Sequence, residues 1–174
     1  MMLDLDGART LLRRTPGVLD SLLGGLPRAW VHENEGPDTW SSFDVVGHLV
    51  EAEETNWIPR IRHLIEHGES VAFTPFDRIG FVEKSKGKSM AEMLDAFSWA
   101  RSGSLRDLDA LRLTPPDLGR RGRHPDFGPV TLGQLLATWA IHDLNHLGQI
   151  AQVLARQHAE AVGPWRAFLG ILER

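Results

Sequence analysis

The sequence of 174 residues contains no cysteine and no tyrosine. Without cysteine, the chain cannot form a disulfide, a thiolate nucleophile or a cysteine-ligated zinc site. If the protein carries out thiol chemistry, the thiol must therefore arrive with the substrate. The lack of tyrosine removes another common acid–base group.

Long apolar runs are missing as well. No run approaches the roughly 20 residues that cross a bilayer, and the first residues, MMLDLDGART, lack the charged-then-apolar layout of a signal peptide. The net charge is -4 and the basic residues are spread along the chain, which argues against a nucleic-acid-binding surface. We therefore expect a cytoplasmic protein with a small-molecule substrate and no nucleic-acid or membrane partner.

Hydrophobic periodicity predicts four long helices separated by loops rich in glycine and proline. The predicted helices cover approximately residues 3–23, 41–68, 89–114 and 131–156. Ser89 and Glu92 form a capping box at the start of the third helix, whereas Pro59 predicts a kink or a break within the second. A chain of this length fits one domain, so the prediction is a single all-α four-helix-bundle domain over residues 1–174.

Several segments outside this simple pattern carry their own predictions. The connections 68–88 and 114–130 are long for a bundle, which is typical of functional or disordered loops. The amphipathic tail 164–172 predicts a short final helix, and no segment has a convincing strand pattern. The fourth helix has a second apolar stripe, which predicts burial against a partner chain and hence a homodimer. This stripe consists of Ala140, Leu144, Leu147, Ala151 and Leu154.

The fourth helix also carries two histidines in its main apolar stripe. His142 and His146 are one helical turn apart and lie on the same face as Leu135, Trp139 and Ile150. A polar side chain in a core needs a partner, and the spacing alone favours a shared metal ion and hydrogen bonds to backbone carbonyls equally. A zinc metalloprotease is disfavoured because Asp143 stands where a protease helix carries glutamate.

A metal site needs a third ligand, and His48 in the second helix is the candidate. Helical periodicity argues against it, because His48 lies far around the helix from the apolar seam and is predicted to be exposed. A second pair, His63 and His67, sits at a helix end among charged residues, where solvent and the helix dipole favour histidine. The three other histidines have polar or terminal surroundings and are predicted to lie on the surface: His32, His124 and His158.

Two charged residues interrupt the apolar seams of the second and third helices. Glu53 lies between Val50 and Trp57, and Arg101 lies in the middle of the third helix. Buried opposite charges are costly unless they meet, so we predict a Glu53–Arg101 salt bridge. A role in fixing the register of the bundle is favoured over a catalytic one.

With these residues in place, the sequence resembles the DinB / YfiT-like superfamily of metal-dependent proteins. The segment WSSFDVVGHL, from Trp40 to Leu49, resembles the family's Trp-Ser segment that leads to a histidine on the second helix. The segments GPVTL at 128–132 and HDLNHLGQI at 142–150 resemble the start of the family's fourth helix and its most specific motif. Glu53 and Arg101 also stand at positions where the family carries an acid and an arginine.

The resemblance implies an up-down-down-up four-helix bundle, usually dimeric. It also implies a divalent metal, often nickel or zinc, held by His48, His142 and His146. Three neutral imidazoles would leave the full charge on such an ion, which could then lower the pKa of a bound water or thiol. Asp143 and Gln149 are candidates to accept the second N–H of an imidazole. Glu51 is the candidate acid–base group, and a solvated carboxylate without a role is the alternative for it.

Three functions follow as alternatives. The first is a transferase that joins a low-molecular-weight thiol, as co-substrate, to an electrophilic small molecule. The second is a metal-dependent hydrolase of a small molecule, and the third is a stress-associated metal- or ligand-binding dimer without turnover. Arg120, Arg121 and Arg123 could recognise an acidic thiol or substrate, but a solvated loop is the favoured explanation of them.

Overall fold

The computed structural model describes residues 4–173, so the predicted start of the first helix at residue 3 lies outside the described residues. The α-helices are α1 (Leu5–Leu23), α2 (Arg28–His32), α3 (Ser42–Thr55), α4 (Trp57–His67), α5 (Phe81–Ser85), α6 (Met90–Ala110) and α7 (Leu132–Arg156). A two-stranded antiparallel hairpin consists of β1 (Arg121–His124) and β2 (Gly128–Thr131). Capping boxes at Ser41, Ser89 and Thr131 fix the starts of α3, α6 and α7.

The four long helical units form a bundle in which the second and third units run parallel to each other. One apolar cluster holds the end of α1, the start of α3, the start of α6 and the end of α7. The other cluster holds the start of α1, α4, the end of α6 and the start of α7. The α3–α4 unit and α6 therefore run in the same direction, opposite to α1 and α7. This is the predicted up-down-down-up arrangement.

This arrangement forces the connection between α4 and α6 to return along the whole bundle, on the order of 30 Å. The short helix α5 fixes the returning chain against α3. Gly47 permits the contact, because a Cβ atom there would lie 2.7 Å from Cδ2 of Phe81 and 2.8 Å from Oγ of Ser85. The long connection predicted from the sequence thus covers one side of the bundle.

The second helical unit is broken into α3 and α4 at Asn56. The cause is Pro59, which has no N–H to donate to the carbonyl of Thr55 four residues earlier and whose ring clashes with it. The sequence left a kink and a break as alternatives, and the structure has the break.

A polar layer separates the two apolar clusters and receives at least one buried residue from each long helical unit. Arg101 donates to Asp143 Oδ2 at 2.6 Å and Oδ1 at 2.9 Å, and to Glu53 Oε1 at 2.8 Å. Thr15 donates to Asp143 Oδ2 at 2.6 Å, and Trp139 donates to Glu53 Oε1 at 2.8 Å. Burial lowers the pKa of Arg101, but the two carboxylates outweigh it and the net shift is upward.

Two sequence predictions about local structure are wrong. No strand was expected, yet β1 and β2 form a hairpin. The sequence did not predict it because each strand has only four residues, with Gly122 or Pro129 inside it, and shows no alternating apolar pattern. The tail folds into two short 3-10 turns, 163–168 and 170–172, and not into an α-helix. Of the residues in those turns only Leu172 is buried, so no continuous apolar face holds an α-helix there.

The second stripe of α7 is only partly covered in the single chain. Ala140 is buried, Leu147, Ala151 and Leu154 are half-buried, and Leu144 is exposed. The homodimer stays a prediction. Within residues 4–173, no helix combines the length and the apolar character that a bilayer span requires.

The polar layer generates a stability prediction. Arg101→Ala leaves two buried carboxylates without their partner and should lower the free energy of unfolding by about 3–5 kcal/mol. Glu53→Ala should cost less, because Asp143 still pairs with Arg101. The double variant should show a coupling energy of at least about 1 kcal/mol in urea unfolding. Additive losses would show that the two side chains do not act as a pair.

Candidate metal centre

Three histidines from two helical units converge beside the polar layer. His48 comes from α3, and His142 and His146 come from successive turns of α7. Nε2 of His142 lies 3.2 Å from Nε2 of His48 and 3.1 Å from Nε2 of His146. The ligating nitrogens of the three lie within 4.8 Å of one another. The site therefore joins a sequence-local pair to a residue 94 positions earlier.

The prediction that His48 is exposed is wrong, since only 5% of it is accessible. Periodicity failed because α3 has no solvent face. All but one of its residues from Ser42 to Glu53 are buried, under contacts from α2, α5, α6 and α7. The ring of Trp40 lies 4.9 Å from the His48 ring, and Phe76 and Phe81 meet its edge.

All three imidazoles are held in the neutral form. Burial is the main cause, and it lowers the pKa of His142 to about 3 and that of His48 to about 4. The proximity of His146 lowers both pKa values further. Burial also lowers the pKa of His146, against a hydrogen bond that His146 donates to Gln149 and the charge of Asp143. Neutral imidazole is the form that binds a metal ion.

The remaining ring nitrogens differ in how they are held. Nδ1 of His146 donates to Oε1 of Gln149 at 2.7 Å, which leaves the lone pair on Nε2 facing the other two histidines. Asp143 does not fill the role proposed for it from the sequence. Both its oxygens bond to Arg101 and Thr15, so it fixes the rotation of α7 and bonds to no imidazole. Nδ1 of His142 has no hydrogen-bond partner in the protein, whereas a hydrogen bond to the backbone of Arg78 raises the pKa of His48 against the effect of burial.

The donor set fits a divalent ion. Metal–nitrogen bonds of about 2.1 Å place two ligating nitrogens about 3.0–3.4 Å apart, from octahedral to tetrahedral geometry. The observed separations of 3.1 and 3.2 Å lie in this range. Three close, buried nitrogen lone pairs repel one another when nothing lies between them, and a cation relieves this. His48, His142 and His146 are therefore the residues that would hold the metal.

The three histidines line a cleft of about 560 Å³. Aromatic side chains form much of its wall, including Trp40, Trp57 and Phe76. The crossing connection and the β1–β2 hairpin supply the outer wall. The polar side chains of the cleft besides the triad include Asn56, Arg60, Arg78, His124, Asp126 and Gln134.

Glu51, predicted as the acid–base group, lies elsewhere. It is 5% exposed, and its carboxylate pairs with Lys84 at 2.6 Å. It lines a neighbouring cavity of about 320 Å³ that contains none of the three clustered histidines. The alternative of a solvated carboxylate is also wrong, because α5 covers this side of α3.

The three loop arginines do not line the cleft. Arg120 pairs with Asp117 at 3.1 Å, Arg121 pairs with Glu69 at 3.1 Å, and Arg123 is exposed. The pair His63 and His67 lies at the end of α4, as expected, with His63 hydrogen-bonded to the carbonyl of Val71.

Sequence reasoning assigned His124 to the surface, but this residue lines the cleft and is half-buried. Its Nδ1 accepts from the backbone N–H of Asp126 at 3.1 Å, so the neutral ring carries its proton on Nε2. Burial lowers its pKa, and Arg60 and Arg78 lower it further. Its position follows from the hairpin, which the sequence did not reveal. The two other histidines predicted at the surface, His32 and His158, are half-buried against aromatic rings.

These features define a four-helix bundle with a three-histidine centre between its second and fourth helical units. The chain belongs to the DinB superfamily, whose sequence profile matches residues 11–150. Solved structures that share the fold include the following two. YfiT from Bacillus subtilis, described as a probable metal-dependent hydrolase with an unusual four-helix bundle topology, has a TM-score of 0.76 and 21% identity over 90% of each chain.

The four-helix bundle protein TT2238 has a TM-score of 0.55 and 23% identity, over 84% of this chain and 98% of its own. No curated protein matches the chain. At these identities the two structures support the fold, and the site is defined by the residues of this chain.

The centre predicts the metal content of the purified protein. After reconstitution with nickel or zinc, mass spectrometry should find about one ion per chain. His48→Ala and His142→Ala should each abolish it, whereas His63→Ala, in the second histidine pair, should retain it. Loss in His142→Ala alone would remove His48 from the ligand set. No metal with nickel, zinc, manganese or iron would overturn the site.

The lowered pKa values predict a pH dependence of stability in metal-free protein. Between pH 6.5 and about 4 the unfolded chain protonates His48 and His142 while the folded chain keeps them neutral. The contribution of these two histidines to the free energy of unfolding is therefore fully present above pH 6.5 and falls as the pH drops. His142→Gln should make this slope shallower, by up to about 1.4 kcal/mol per pH unit. The exposed His67→Gln is the control, and equal slopes in both variants would contradict the prediction.

Proposed function

We propose that this protein is a metal-dependent enzyme that transfers a low-molecular-weight thiol to an electrophilic small molecule. The observation that carries the proposal is the kind of polar group found in the cleft. Asp126 is the one carboxylate among the described residues that line it, and its side chain is 77% exposed. The cleft therefore offers no buried carboxylate base to remove a proton from a nucleophile.

A reaction that needs no protein base is favoured in such a site. A divalent ion on three neutral imidazoles supplies a Lewis acid that lowers the pKa of a thiol or water ligand by several units. A thiol begins near pKa 8.5 and water near 15.7, so the thiol needs much less help to ionise at neutral pH. The complete lack of cysteine in the chain agrees with a thiol that arrives as co-substrate.

The residues around the triad have separate tasks in this proposal. Trp40, Trp57 and Phe76 exclude water and pack against the apolar part of the electrophile. Gln149 holds His146 in one tautomer, and Asp143 holds α7 in rotation. His124 presents an Nε2–H into the cleft, as a neutral hydrogen-bond donor. The ion proposed is nickel or zinc.

Hydrolysis is the second candidate, favoured by the description of YfiT as a probable metal-dependent hydrolase. The same centre would act on water, and the cleft would bind an ester or an amide. A stress-associated binding dimer without turnover is the third reading, and two assays separate all three.

A chlorodinitrobenzene electrophile tests the first function, and a panel of small esters and amides, assayed without a thiol, tests the second. With a panel of small thiols, metal-loaded protein should form the thioether and release chloride. Without a thiol, it should form no dinitrophenol above the protein-free background. His142→Ala should return thioether formation to background, with His63→Ala as the matched control. Turnover of a panel of small esters and amides without a thiol would favour the hydrolase, and no turnover in either assay would leave the binding protein.

A further inference from the structure

Asn56 has an unusual side chain for its place in the fold. It stands at the junction of α3 and α4, where an asparagine normally caps the next helix, yet its side chain makes no capping hydrogen bond. The residue is 93% buried, from a relative exposure of 7%, and its Oδ1 has no hydrogen-bond partner. A buried acceptor without a partner costs about 1–3 kcal/mol. Neither helix capping nor packing accounts for an amide here.

Arg60 follows one turn later on the same face of α4 and is unusual in a second way. Among the arginines of residues 4–173 that are not exposed, Arg60 is the one without a carboxylate partner. The other arginines that are not exposed are all paired with carboxylates, namely Arg9, Arg101 and Arg156.

The surroundings of Arg60 leave most of its donors free. Its guanidinium lies over the ring of Phe73, with Cζ 5.3 Å from the centroid, and Nη2 donates to the carbonyl of Thr74 at 3.1 Å. A guanidinium has five N–H donors. Burial lowers its pKa, and the exposed Asp126 offsets this only in part.

Both side chains line the cleft that contains the three histidines. A half-buried cation without a counter-ion and a buried acceptor without a donor, side by side on one helix face, match a ligand that has the complementary groups. A carboxylate pairs with a guanidinium through two parallel hydrogen bonds. An N–H close to that carboxylate would satisfy the amide oxygen.

We propose that Asn56 and Arg60 form a recognition subsite for a carboxylate with a neighbouring N–H, as in an N-acylated amino acid. Arg60 binds the carboxylate, and Asn56 Oδ1 accepts from the N–H. The inference deepens the proposed function, on which it rests for the reaction: the molecule bound here is the thiol co-substrate or the electrophile. It replaces Arg120, Arg121 and Arg123 as the group that recognises an acid.

The test uses probes without a thiol, so that binding does not depend on the transfer reaction. Calorimetry on metal-loaded protein compares N-acetyl-L-alanine, which has both groups, with N-ethylacetamide, which lacks the carboxylate, and propionate, which lacks the N–H. We expect N-acetyl-L-alanine to bind one per chain and at least about tenfold more tightly than either of the other two.

Side-chain variants then assign the contacts. Arg60→Met removes the guanidinium and should weaken N-acetyl-L-alanine about tenfold or more, while Asn56→Leu, of similar volume, should weaken it about fivefold. Arg62→Met is the matched control, because Arg62 lies on the same helix and pairs with Asp107 at 2.9 Å, outside the cleft. Asp126→Asn removes the competing charge and should tighten binding.

A stability measurement separates recognition from a structural role. Asn56→Leu should leave Tm unchanged or raise it, because it removes an unpaired buried amide. A fall of more than about 5 °C would show that the amide supports the fold and would overturn its part in the subsite. Equal affinity of the Arg60→Met and Arg62→Met variants, or no binding to the unaltered protein at about 10 mM probe, would overturn the subsite as a whole.

The two proposals fail in different ways. Thioether formation that is insensitive to Arg60→Met, without binding of N-acetyl-L-alanine, would remove the subsite and leave the transferase. Binding that depends on Arg60 and Asn56, without turnover of any thiol, would remove the transferase and leave the subsite. If both hold, thiols that carry an N-acylated amino acid, such as N-acetyl-L-cysteine, identify which substrate the subsite receives.

Discussion

The buried pairing of Arg101 with Glu53 and Asp143 is the constraint on which the rest of the structure depends. The hydrogen bonds of this pairing are 2.6–2.9 Å long. They lie between two apolar clusters, which by themselves would allow each helix to rotate or slide. Desolvated charges tolerate little displacement, because any loss of contact leaves a buried ion without a partner. The layer therefore fixes the register of all four helical units at one height.

This register sets the geometry of the metal centre. Successive residues of a helix are rotated by about 100°, so turning Asp143 towards α1 and α6 turns His142 and His146 towards α3. Two carboxylates and one guanidinium also leave an excess of negative charge beside the three imidazoles. Asp143 raises the pKa of His146, whereas Arg101 lowers that of His142, so the layer acts on the two imidazoles in opposite directions. The salt bridge and the histidine triad therefore both depend on the rotation of α7.

The sequence predicted the helices well because their signals are local. Capping boxes, proline and apolar stripes act within a few residues of the chain, and the starts at Ser89 and Thr131 agree with them. His142 and His146 were found for the same reason. The position of His48 could not be predicted by periodicity, because the burial of α3 on all sides depends on α5 and Trp40, which are distant in sequence or lack a strong pattern of their own. Only the family resemblance pointed to it.

The roles of Asp143 and Glu51 were misassigned for a related physical reason. Proximity in sequence to a histidine does not determine which side of the helix a carboxylate faces. Asp143 pairs with Arg101 and Glu51 pairs with Lys84, each on another element. Asn56 carried no sequence signal at all. An asparagine at a helix junction resembles an ordinary cap, and only the three-dimensional hydrogen-bond pattern reveals that it does not cap.

The break at Asn56 divides the second helical unit into two pieces that differ in how they contact the cleft. The piece before the break, α3, carries His48 and is enclosed on all sides, so few substitutions there preserve packing. The piece after it, α4, faces the cleft through Arg60 and is covered by loops. Substitution of Arg60 or of the loop residues over α4 can therefore change the charge and shape of the cleft without altering the three-histidine cluster.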